Sequence, residues 1–202
     1  MAKETTLTKK QARAYEGKLK ALGKFPKIAI GVFVVLFVLA FLPWLCIYNT
    51  DIPGAEILVN GWNAFFCGIT GKLSTPGGLF GNMDTFNYFA ASACAPLALY
   101  GMIAYLCFIV SCALELVLIF TKKHLLNCVA AVTTLGGIVF TILGYTAAMS
   151  VNQSNILVEY CQSNPACSVE SYAIFTAVLA AVALVLNLIA GIKYFTAKKS
   201  VK

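Results

Sequence analysis

Apolar positions fall in four long blocks, 28–48, 88–120, 127–150 and 171–195, separated by polar connections. Each block matches or exceeds the roughly 20 residues that a helix rising 1.5 Å per residue needs to cross a hydrocarbon layer of ~30 Å. The pattern predicts an all-α membrane protein, a bundle of four transmembrane helices. The polar connections become a tail over 1–27, a first outer loop over 49–87, an inner turn over 121–126, a second outer loop over 151–170 and a tail over 196–202. A turn that short makes spans two and three antiparallel neighbours. Span two, at 33 residues, exceeds the membrane. Either it tilts strongly or its outer part, near Pro96, stands above the bilayer.

Local signals refine the elements. Thr8-Lys9-Lys10-Gln11 offers a capping box for a short helix in the first tail. Leu7, Tyr15, Leu19, Leu22 and Phe25 could give that helix a thin apolar stripe between lysines that would let it lie on anionic lipids; the favoured alternative is a solvated tail whose charges retain it in the cytoplasm. Pro43 should kink the outer end of span one, where Trp44 and Tyr48 suit the interface. In the first outer loop, Ile57-Leu58-Val59 and Phe65-Phe66 are candidate strands of a small sheet between turn signals at Pro53-Gly54, Asn60-Gly61 and Pro76-Gly77-Gly78.

Composition agrees: 60% of the 202 residues are hydrophobic and 11% charged, too apolar for one soluble core. The net charge of +7 points away from nucleic acid once the charges are placed. Eight basic residues precede block one, Lys122 and Lys123 sit in the inner turn, and Lys193, Lys198, Lys199 and Lys202 close the chain. Only Lys72 lies in the outer loops, which carry Asp51, Glu56, Asp84, Glu159 and Glu170. By the positive-inside rule both termini are cytoplasmic, and the expected location is the plasma membrane, multi-pass. Block one is too long for a signal-peptide core and no small-residue cleavage pattern follows it, so it reads as a retained anchor.

Lipid gives helices no hydrophobic reason to associate, so small residues mark the expected packing faces. Ala177 and Ala181 with Gly191 in span four, and Gly137 and Gly144 in span three, are the candidates. Eight cysteines divide by side of the membrane. Cys161 and Cys167 bracket a short outer loop and are expected to form a disulfide; Cys67 has Cys46 and Cys94 as alternative partners. Glu115 is the one charged residue deep in a span, and Asn187 should lie at the same depth. An ionisable group there is a functional candidate, because an unpaired charge in lipid is costly. The sole histidine, His124, lies near Cys128 and Cys112 without a recognised metal-ligand spacing, so no metal and no cofactor are expected. No catalytic fingerprint occurs: there is no Ser-x-x-Lys, nucleophile elbow, H-E-x-x-H or P-loop.

This layout resembles that of the claudin-like tetraspan membrane proteins, and Asn60-Gly61-Trp62 followed by Cys67 is similar to part of their first-loop signature. The Gly-Leu-Trp stretch of that signature is missing, and the next cysteine, Cys94, lies 27 positions on. The resemblance implies a non-enzymatic protein acting through lateral and outward contacts, with other membrane proteins or further copies of itself as partners. The alternative is a small oligomeric channel or transporter with Glu115 and Asn187 near its path.

Overall fold

The computed structural model describes residues 9–49, 56–70, 73–74, 85–86, 95–152, 165–169 and 172–199. Helix α1 (Lys9–Leu22) starts directly after Thr8 and is separated from α2 (Lys24–Leu39) by a turn at Gly23. Then come strands β1 (Pro43–Asn49) and β2 (Glu56–Asn60), helix α3 (Gly61–Thr70) and the short strands β3 (Leu73–Ser74) and β4 (Thr85–Phe86). Two long helices, α4 (Ala95–Thr121) and α5 (Leu126–Asn152), are followed by β5 (Pro165–Val169) and α6 (Tyr172–Lys199). Four helical segments, Tyr15–Leu39, Leu99–Thr121, Leu126–Ala147 and Ala173–Lys198, are long and apolar enough to cross a membrane. The architecture is that of an integral, multi-pass membrane protein.

The four helices form a ring in which α2 packs on α4, α4 on α5, α5 on α6 and α6 back on α2. Each contributes one stripe of buried positions with spacings that alternate between three and four. In α2 the stripe is Pro26, Ala29, Phe33 and Leu36, running on to Ala40; in α4 it is Gly101, Ala104, Phe108, Ser111, Glu115 and Leu118. In α5 it is Asn127, Ala130, Thr134, Gly137, Thr141 and Gly144; in α6 it is Ala173, Thr176, Ala180, Ala183, Asn187 and Ala190. Such a heptad stripe keeps one face turned inward along nearly parallel helices. The outward faces hold large apolar side chains, among them Val34, Val132, Phe175 and Ile192, more than 45% exposed. The inward stripes hold the polar side chains of Ser111, Glu115, Asn127, Thr134, Thr141, Thr176 and Asn187 among small and aromatic residues, as expected where the solvent is hydrocarbon.

Span one departs from the expected helix over 28–48. Its helix begins earlier and ends at Leu39, and Pro43 opens a strand instead of kinking a helix. Proline lacks the N–H a helix would need and disfavours helical geometry in the residue before it. The chain leaves the helix through tightened turns, Phe41 N–H to the Val38 carbonyl at 3.3 Å and Leu42 N–H to the Leu39 carbonyl at 2.9 Å. At the other end of the bundle, α4 stops at Lys122, whose left-handed φ of 55° lets its N–H return to the Leu118 carbonyl at 2.8 Å. That left-handed residue closes the helix and turns the chain into α5.

Opposite the lysine-rich end lies a three-stranded antiparallel sheet of order β2-β1-β5. Tyr48 pairs with Glu56 and Ile47 with Ile57 on one side of β1; Leu45 pairs with Val169 and Asn49 with Pro165 on the other. Strand β1 continues span one, β2 belongs to the first loop and β5 to the second. One strand therefore joins both loops to the bundle. Ile57-Leu58-Val59 lies in β2 as the alternation suggests, but Phe65 and Phe66 lie in α3. Trp62, Phe65, Phe66 and Ile69 recur at helical spacing, which outweighs the aromatic preference for strands. Residues 88–94, the outer part of the predicted second span, fall outside the described residues.

Candidate functional sites in the cap and the membrane

Two places concentrate chemistry: the junction of cap and bundle, and a polar layer inside the membrane.

At the junction, Asn60-Gly61-Trp62 links β2 to α3. The Trp62 N–H donates to the Ala40 carbonyl at 3.3 Å, and its indole Nε1–H donates to the Phe37 carbonyl at 3.0 Å. The Phe37 carbonyl is open because the Phe41 N–H, its ordinary helical partner, goes to Val38. Trp62 thus caps the β1 end of span one with a side chain from the loop. Its ring lies 5.4 Å from Tyr105, 5.8 Å from Phe37 and 5.9 Å from Phe65, in tilted and edge-on arrangements of the kind aromatic pairs prefer. Gly61 is buried against Tyr105, and a Cβ there would collide with the phenol. Tyr105 also presents its hydroxyl to Thr176 of α6, so one side chain ties span two, span four and the cap helix together.

Within the membrane, Glu115 and Asn187 are both fully buried and face each other across the ring axis, from α4 and α6. Their separation allows electrostatic contact, yet neither carboxylate oxygen, and neither polar atom of the amide, makes a direct hydrogen bond of good geometry. One turn away, Ser111 of α4 donates to the Ala130 carbonyl of α5 at 3.0 Å, and its hydroxyl lies 2.5 Å from that of Thr133 and 2.9 Å from that of Thr134. Ser111 is therefore committed to α5 and does not serve Glu115. At the lysine-rich end, Asn127 donates its amide to the His124 carbonyl at 3.0 Å. The His124 ring is 6% exposed and lies 5.9 Å from Tyr194. Burial pushes its imidazole below the ordinary value of 6.5.

The small-residue candidates separate in their surroundings. At Gly137 an added Cβ would enter the Phe108 ring, and at Gly191 it would come within 2.9 Å of Cys128 Sγ. Both glycines are sites of close helix approach. Gly144 is buried, whereas Ala177 and Ala181 are half-buried, flanking the stripe of Ala173, Thr176, Ala180 and Ala183. Of the cysteines, Cys107, Cys112 and Cys128 are free thiols. Cys46 lies in β1, Cys67 in α3 and Cys167 in β5, where the backbone alone is described; Cys161 and Cys94 lie outside the described residues. Among the described residues no cluster of metal-binding side chains forms. His124 precedes the start of α5 and does not share a helix face with Cys128.

The tryptophan cap is a structural feature that sequence reading missed, and its signal was present in the spacing of Trp62, Phe65, Phe66 and Ile69. No protein-family model matches this chain, and no curated protein is significantly similar to it.

Proposed function

We propose that the protein is a non-enzymatic tetraspan that associates with other membrane proteins, or with further copies of itself, through its outer cap. The observation that carries this reading is the sheet in which β1, continuous with span one, holds strands from both outer loops. Among the described residues β2 and β5 each have a single partner strand, which leaves two edges able to accept backbone hydrogen bonds from another chain. Trp62 joins cap and bundle through two hydrogen bonds and its ring contacts, so a contact made outside is anchored in the spans. In this reading both termini are cytoplasmic, the host is the plasma membrane, and a disulfide between Cys161 and Cys167 staples the second loop. Purification in mild detergent should recover a membrane partner, or a second copy, in fixed stoichiometry. A clean, lone monomer contradicts the proposal.

A small oligomeric channel or transporter is favoured by a different observation: Glu115 is fully buried with both carboxyl oxygens lacking direct hydrogen bonds. Cation or proton flux in liposomes that Glu115→Gln abolishes would establish that function instead.

A further inference from the structure

The lysine-rich end of the bundle carries a groove that the outer cap does not use. It lies between α1, the start of α2 and the end of α6, with a volume of about 570 Å³, within the range typical of small-ligand sites. Three lysines line it, Lys18, Lys24 and Lys193, and among the described residues no acidic side chain does. Its floor is apolar: Leu22, Phe25 and Ile28. Lys193 is held over this floor, its Nζ 5.1 Å from the centroid of the Phe25 ring, a cation–π contact that fixes a flexible side chain. Ile28 is 53% exposed and carries the floor out onto the lipid-facing side of the bundle.

We propose that this groove binds one anionic phospholipid, with the phosphate between Lys18, Lys24 and Lys193 and an acyl chain along Phe25 and Ile28. A soluble phosphate would use the rim and leave the apolar floor without a partner. A zwitterionic lipid would bring its own cation against three lysines. An anionic lipid satisfies both surfaces, and the site lies where charge and chain depth coincide at a membrane interface. The attraction of the basic tail for anionic lipid thereby becomes a specific pocket that span four completes.

The test is native mass spectrometry of the full chain in mild detergent, titrated with phosphatidylglycerol and with phosphatidylcholine of the same acyl chains. The wild type should retain phosphatidylglycerol at least about tenfold more tightly. Lys24→Ala with Lys193→Ala should weaken it about fivefold per lysine removed, while Lys24→Arg with Lys193→Arg retains it. The control pair Lys198→Ala and Lys199→Ala should change it less than about twofold. Equal retention of the two lipids, or equal loss in the control pair, overturns the proposal. Displacement of the lipid by millimolar glycerol 3-phosphate also overturns it, because the rim alone would then be the site.

Discussion

The Trp62 indole donates its N–H to the Phe37 carbonyl at 3.0 Å, a hydrogen bond that reaches from the first connection between spans to the last turn of span one. Membrane helices end where water resumes, and their last carbonyls are ordinarily hydrated. Here a loop side chain supplies the donor and simultaneously fills the space between Phe37, Phe65 and Tyr105. Trp62→Phe keeps most of the ring and loses the donor, and should cost about 1 kcal/mol. Trp62→Ala should cost roughly 3 kcal/mol. Thermal unfolding in detergent checks both, and a Trp62→Phe variant as stable as the wild type would show that the hydrogen bond contributes nothing beyond packing.

Gly137 leaves room for Phe108, and that vacancy sets how closely α4 approaches α5. Gly137→Ala should therefore destabilise the bundle by about 1–3 kcal/mol, the usual cost of overpacking. Phe108→Leu in the same chain should restore part of the loss, since the two sites share one space. Additive losses in a double-mutant cycle would contradict the contact.

His124 gives stability a defined pH dependence. Burial disfavours its cation in the folded state, so the folded value lies below the unfolded one near 6.5. The unfolded chain then binds more protons as pH falls through 6.5, and stability falls with it; above that value the contribution is fully present. As the sole histidine, it contributes a fall in stability just below pH 6.5. His124→Gln should flatten the profile there, measured by thermal unfolding at each pH. An unchanged slope would place the titration elsewhere.

The four spans were legible because apolar runs of transmembrane length have few alternatives. Their inward faces were less so, because Leu, Val, Phe and Ala occur on both faces and only scattered polar residues mark the buried side. Ala177 and Ala181 fit a strict four-residue repeat, while the buried stripe of Ala173, Thr176, Ala180, Ala183, Asn187 and Ala190 alternates three and four. Asn187 was the better guide: a polar residue in lipid must turn inward, and it shares its depth with Glu115. The outer end of span one was misread because Trp44, Leu45, Ile47 and Tyr48 suit a helix in lipid or a strand equally well, and Pro43 decides between them.

Glu115 separates the two functional readings at the level of one atom. If its role is structural, Glu115→Gln removes a buried carboxylate that faces only the neutral Asn187 amide and leaves the bundle at least as stable. Purified protein in liposomes should then pass neither protons nor cations, before or after the substitution. Flux through the wild type that the glutamine variant lacks would favour the transporter.

The central claim concerns the cap, and photocrosslinking in the native membrane tests it most directly. A photoreactive residue placed on β2 at Leu58 or on β5 at Ser168 should capture one discrete membrane partner, or a second copy, and Trp62→Ala should remove that product. The same residue at Val132, on the lipid-facing side of α5, should not capture it. Efficient capture from Val132 with none from the strands would contradict the account and move the working surface into the bilayer.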